Sequence, residues 1–516
     1  MRKHVRRTEK LGEAAEGEHM SSVNLATIAD FGGIDADADA LLDECFEAHE
    51  SYVDAVEHKR FLVLGRKGAG KTAIFRKLVR SREDSVFSIG HTFDDYPWHF
   101  HDRQAVAGVP AEERFVHSWK YLILITLSKV LLNWDSSQPW NQTALEALAK
   151  VERFVVDSYG SRDPDVTQVF APSKTLKLKG GLGFNIAGVS ANLDAERLPV
   201  EHLPLVIQEV NKTLLNAICA TLNPDNNYYV CFDQLDLRFD PDDPNYRDRL
   251  VGLLLAARDI NKEARDAGRK MSCLVFLRDD IYQGLKFEDK NKLTENHMSR
   301  IEWDTREGSH TLKSLMEKRI ASLFDVSEEG AWELVFDETQ EMRGRQSKYQ
   351  HMVDRTFLRP RDMIKYCNET LLAYKGRSDA GNLIDNKDVA AARQSYSEYL
   401  LSELEDEIFK HVPDYEKYME LLKTLDALDF ELEAFEAVCE QRSNMVPEGK
   451  GALAILRELF EFSVVGFYQA GGQGYGGSGY VWKYQNSRAR FNEAATRFKV
   501  HPGFREVLGL KMWSKT

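Results

Sequence analysis

The chain has 516 residues, a length suited to two to four domains, and 43% of them are apolar, enough for real cores. Its net charge of −14 excludes a general nucleic-acid coat, because counterion release at a phosphate backbone needs clustered Lys and Arg. No apolar run approaches the ~18–20 residues that cross a bilayer. The basic start at 1–10 leads into no apolar signal segment, so a cytoplasmic protein with no membrane partner is expected.

Residues 1–22 are polar and read as a disordered basic tail. Over 36–56 the positions of Leu41, Cys45, Phe46 and Tyr52 carry helical spacing. A short apolar strand at 61–64 runs into a glycine-rich turn, then 72–80 reads as a helix with Ile74 and Leu78 inward, and 86–89 as a second strand. The stretch 95–205 is an irregular insertion with one helix at 119–132 and a β-hairpin over 174–193. Its Lys174, Lys177 and Lys179 read first as edge-strand protection against aggregation, and second as contacts to an anionic partner. Alternation resumes with a helix at 207–222, a strand at 228–232, a helix at 250–260 and a strand at 271–277. Helices separating short, wholly apolar strands imply a mostly parallel sheet covered on both faces. Past about 330 the chain reads helical, and its end carries a glycine-rich stretch at 469–485 between two strand-like runs, as in a winged-helix-like unit. The six cysteines, with no CxxC pair, read as reduced core residues.

The chemistry is concentrated near residue 70. Gly65-Arg66-Lys67-Gly68-Ala69-Gly70-Lys71-Thr72 matches GxxxxGK[ST] at every fixed position and with Ala73 is the expected nucleotide-binding stretch, an apolar strand before it and the 72–80 helix following. Glycines let the loop curl so that successive backbone N–H groups face one phosphate, and the helix adds its positive end. Lys71 supplies a mobile charge for the β- and γ-phosphates, and the Thr72 hydroxyl suits Mg²⁺. Asp233, at the end of the 228–232 strand, fits a second Mg²⁺-binding acid. The position beside it, where a water-orienting Glu is usual, holds Gln234, which cannot take a proton. Asp236 is the nearest carboxylate for that role, against the reading that it only caps a loop. Arg278 ends the next strand and is placed to sense the γ-phosphate, or else to pair with Asp279 or Asp280. Arg361, with Arg359 around Pro360, opens a helix that fits a lid; its alternative is a salt bridge to Asp362.

This set resembles the STAND and KAP branch of P-loop ATPases and, more distantly, the origin-recognition ATPases. It is most similar to the bacterial FunZ-like P-loop ATPases in "FGGIDADAD" (31–39), "LGRKGAGKTAIF" (64–75), "DQLD" (233–236), "FLRDDIY" (276–282), "LRPRDMI" (358–364) and "VHPGFREVLGL" (500–510). The resemblance implies ATP binding with Mg²⁺, slow hydrolysis and self-association or a protein partner; some STAND relatives act in antiviral defence. The expected division is a tail at 1–22, an AAA+/STAND-like P-loop NTPase domain at 23–330 with the insertion at about 95–205, a helical lid at 331–395, and a winged-helix-like domain at 396–516. DNA is the less favoured partner. An aromatic wing (Tyr475, Tyr480, Trp482) with Lys483, Arg488, Arg490 and Arg497 supports it, but the acidic 428–442 helix region fits poorly beside phosphates. A small-molecule kinase fits badly with the long separation of Lys71 and Asp233.

Overall fold

Three buried strands, one half-buried strand and one short one build a single parallel sheet at the centre of the N-terminal half. The computed structural model describes residues 23–93, 101, 113–169, 175–176, 198–199, 203–237, 243–304, 310–471 and 478–512. The expected tail at 1–22, most of the expected hairpin with Lys174, Lys177 and Lys179, and Tyr475 lie outside the described residues. Of that hairpin, Thr175–Leu176 is described, paired antiparallel with Leu198–Pro199.

In chain order the core runs α1 (Glu50–Val56), β1 (Leu62–Gly65), α2 (Lys71–Val79), β2 (Val86–Thr92), α3 (Val116–Asn133), α4 (Gln142–Tyr159), α5 (Leu203–Thr221), β3 (Asn227–Asp233), α6 (Pro244–Asp266), β4 (Met271–Arg278) and β5 (Met298–Arg300). The strand order is β5-β1-β4-β3-β2 with every pairing parallel. β4 therefore separates the loop strand from the Asp233 strand, and its register sets Arg278 beside Gly65. Successive residues of β2 show how both faces are covered, since side chains alternate along a strand. At Gly90 a Cβ would lie 2.5 Å from the Phe75 ring of α2, so only glycine lets that helix seat. The next residue, His91, points the other way to the Thr126 hydroxyl of α3 at 3.0 Å.

The expected helix over 36–56 is corrected: only Glu50–Val56 is helical, and 36–49 is turns followed by irregular chain. The reason is local competition for backbone N–H groups. Asp39 accepts from Gly33 N and Leu41 N, Asp35 accepts from Asp37 N, and Asp39 also meets Arg319 in a buried pair at 2.5 Å.

Beyond β5 lie α7 (Leu312–Phe324), α8 (Pro360–Lys375) and α9 (Arg393–Ile408). The end of the chain folds as α10 (Tyr415–Leu425), β6 (Asp429–Glu431), α11 (Leu432–Gln441), α12 (Ala452–Glu461), β7 (Val465–Gln469), β8 (Gly479–Val481) and β9 (Arg497–Val500). Its antiparallel sheet has the order β8-β7-β9-β6, giving the winged-helix-like unit expected from the sequence. This unit is fastened to α9 at Gly503, whose carbonyl accepts from Ser397 Oγ at 2.6 Å; a Cβ there would lie 2.4 Å from Leu400. All six cysteines are buried and free. Among the described residues no helix is long and apolar enough to cross a membrane.

Candidate functional site

The site forms where parallel strands end, because there the chain leaves the sheet and backbone groups fall free of the ladder. After β1 the loop turns through Gly68 (φ 77°) and Gly70 (φ 109°), a left-handed region that a side chain strains to enter. Gly70 caps α2 with no side-chain hydrogen bond, so the first N–H groups of the helix stay open for an anion. Lys71 is folded back over this loop, donating to the carbonyls of Gly65 (2.9 Å) and Arg66 (3.0 Å). Burial lowers its pKa, and the charges of Asp236 and Asp233 oppose that.

Asp233 is 2% exposed and its Oδ2 has no hydrogen-bond partner. Burial pushes its pKa up to about 6, against the pull of the Lys71 ammonium, the Thr72 hydroxyl and the Gln234 backbone N–H. A buried carboxylate oxygen without a partner, next to a threonine hydroxyl at a helix start, fits a hard cation such as Mg²⁺. Gln234 follows at φ 59°, its Oε1 also sealed and unpartnered. Asp236 accepts from Arg278 Nη1 at 3.4 Å. Arg278 itself is held by both oxygens of Asp280, at 3.1 and 2.6 Å. Burial opposes its charge, but Asp280 outweighs this and its pKa rises.

Residues at the start of α8 reach the same loop. Arg361 does not pair with Asp362; it bonds Glu403 (3.1 Å) and the Ile34 carbonyl (3.1 Å). A Cβ on Gly68 would lie 3.1 Å from its own Cβ. Asp362 is taken instead by the buried Arg359, which also bonds Glu407 (2.9 Å) and the Lys67 carbonyl (3.1 Å). Lys67 is bound to Asp406 (2.8 Å) and Glu403 (3.5 Å). Sequence reasoning missed this acidic cluster on α9, although Glu403, Asp406 and Glu407 at i, i+3 and i+4 share one helix face. It also missed a small cavity of ≈ 100 Å³ where the 33–42 segment, Ile364 and Arg361 meet Gly70, Lys71, Thr72 and Ala73. Ala69, by contrast, is buried, its carbonyl bonded by Trp303 Nε1 at 3.0 Å.

The basic wing is largely spoken for. Arg497 bonds Asp429 (2.8 Å), Lys483 meets Glu461 (3.0 Å), and Arg488 meets Glu295 (3.5 Å). Trp482 is buried against Gly466, and Tyr480 donates to Asp429 at 2.5 Å. The exposed Arg490 is left of that set.

An all-parallel sheet flanked by helices, with GxxxxGK[ST] between the inner strand β1 and a covering helix, defines the P-loop NTPase fold. More narrowly, residues 310–405 match the FunZ-associated C-terminal helical domain, so the chain is FunZ-like as its motifs suggested. Over 400 residues it is 22% identical to the transposon gamma-delta 80.3 kDa protein of Escherichia coli (strain K12), covering 71% of this chain and 49% of that one. The chain thus spans about half the length of the curated relative it matches. The crystal structure of Cdc6p from Pyrobaculum aerophilum is similar at 12% identity and TM-score 0.27, covering 89% of this chain and 91% of that one. At that score the likeness carries no argument.

Proposed function

We propose that the chain binds ATP with Mg²⁺ and hydrolyses it slowly, as a conformational switch that acts through self-association or a protein partner. The observation that carries this is the convergence of Lys71, Thr72 and the unpartnered Asp233 Oδ2 beneath an uncapped helix start. In this reading loop N–H groups hold the phosphates, Lys71 swings from its two carbonyls to the β- and γ-oxygens, and Thr72 with Asp233 holds the metal. A metal held there would supply charge neutralisation at the phosphates; the protein's own part is positioning. Hydrolysis is slow because Gln234 cannot accept a proton and Asp236, the candidate base, is already engaged by Arg278.

The switch lies in the lid. Lys67 and Arg361 face the loop yet are paired with α9 carboxylates, and a triphosphate competes for those cations. Nucleotide binding then shifts the lid and, through Gly503 and Ser397, the winged unit fastened to it. A DNA partner is the weaker reading, since most of the basic wing is neutralised by carboxylates.

Phosphate release measured alone and with candidate partners, with mass measured with and without ATP, tests this. Slow release and a nucleotide-dependent change of mass are expected. Fast, partner-independent turnover at constant mass would point to a different kind of ATPase.

A further inference from the structure

A cavity of ≈ 420 Å³ lies on the other side of the phosphate loop from the pocket that Lys71 and Thr72 line, and no residue lines both. Its walls come from the loop, the end of β5, the entry to the lid, and the winged unit. That volume is in the range of small-molecule sites, about 300–1,000 Å³.

Among its lining residues four side-chain polar atoms are sealed from solvent and without a hydrogen-bond partner in the described residues: the acceptor Asp279 Oδ1, which is ion-paired with Arg300, and three donors, Arg66 Nη1, Arg300 Nε and Ser487 Oγ. The donors belong to three different parts of the chain. The Arg66 guanidinium lies over the Phe357 ring at 4.7 Å, and among the described residues no carboxylate comes within ion-pair distance of it. Arg300 is partly balanced by Asp279 at 2.9 Å. The Asp304 carboxylate is turned to its own chain, accepting from Tyr349 Oη at 2.7 Å and Leu312 N at 2.9 Å. Glu302 is exposed. An arginine does not shed its proton, and an enclosed guanidinium without a counter-charge is costly. Arg66 therefore has no ion-pair partner among the described residues, only the more distant charges of Glu407, Asp362 and Asp280 offset its burial, and the same lining adds a second guanidinium N–H and a hydroxyl.

We infer that this cavity is a second ligand site, taking a small molecule through one oxyanion group, a carboxylate or a phosphoryl. Arg66 and Arg300 grip the oxyanion from the core side and Ser487 from the winged side. The winged unit already touches the core here, where Gln283 Nε2 donates to the Ser487 carbonyl at 3.2 Å. Occupation adds a bridge between the phosphate loop and the winged unit, so the ligand sets how firmly that unit stays docked.

Inorganic phosphate is the probe, titrated calorimetrically into the full chain with ADP and Mg²⁺ in excess to fill the loop. One saturable site is expected, weakened at least tenfold by Arg66→Met and by Ser487→Ala, while Ser487→Ala leaves ATP affinity unchanged. The same titration in Lys71→Ala without nucleotide keeps the site, which separates it from the nucleotide reading. No saturable binding, binding indifferent to both substitutions, or binding abolished by Lys71→Ala in step with ATP would overturn the inference, the last by returning the phosphate to the loop.

Discussion

Removing the Arg359 side chain is expected to loosen the lid far more than removing any surface charge. Arg359 is 1% exposed, and it satisfies both oxygens of Asp362, which is 0% exposed, at 2.8 Å each. Arg359→Met keeps the volume roughly but strands the Asp362 carboxylate, whose remaining partner is the Phe357 N–H at 2.9 Å. Breaking one side of a buried pair costs about 3–5 kcal/mol, because the surviving charge is uncompensated. Pairing the change with Asp362→Asn removes that stranded charge, and a coupling of about 2–3 kcal/mol should be recovered. Hydrogen exchange of the α8 amides reads the local opening energy; at about 1.4 kcal/mol per decade, exchange should speed up roughly 10²- to 10⁴-fold in the single variant and much less in the double. Less than a tenfold effect, or a double variant as loose as the sum of the singles, would refute the claim that this buried pair holds the start of α8 together.

Gly68→Ala places a Cβ 3.1 Å from Arg361 Cβ at φ 77°, a strain of about 1–3 kcal/mol; nucleotide affinity by calorimetry should fall accordingly. Asp236→Asn should spare ATP binding and lower phosphate release at least tenfold, the low end of what a general base contributes and less. Turnover at the wild-type rate would instead leave the water to Gln234. Burial and the charges of Arg355, Arg393 and Arg505 lower the pKa of His351 to about 3. The unfolded chain takes up that proton below about 6.5 while the folded chain refuses it, so stability present at neutral pH is lost as pH falls from 6.5 towards 3. At pH 5 the share of this group is about 2 kcal/mol. His351→Gln should lose less than the wild type in urea midpoint between pH 7 and pH 5; equal losses would exonerate the histidine.

The parts of this fold that could be read from residues alone are those whose causes are local. The phosphate loop, its helix and the apolar strands read at 61–64, 228–232 and 271–277 each announce themselves within a dozen residues. What was misread depends on partners distant in sequence. The 36–49 segment has helical spacing, but Asp39 spends its oxygens on Gly33 N, Leu41 N and Arg319, and the last of these lies on α7. β5 is three residues long, too short to carry a period, and exists because β1 offers it an edge. α4 was passed over although Asn141 caps it and Ala144, Ala147, Val151, Phe154 and Val155 are buried on one face; the small alanines dilute the pattern. At the site, Lys71, Thr72 and Asp233 were legible from motif and strand end. The acids of α9 over Lys67 and Arg361 were not, because nothing in a helix sequence tells which loop it will cover.

The central claim concerns the grip of Lys71 and Thr72 on a triphosphate. The most direct measurement is the thermal shift of the full chain on adding ATP with Mg²⁺, compared with Lys71→Ala. The account predicts a concentration-dependent rise in the wild type, following RT ln(1 + [L]/Kd), and none in the variant. A variant stabilised as strongly as the wild type would place the phosphates elsewhere and contradict it.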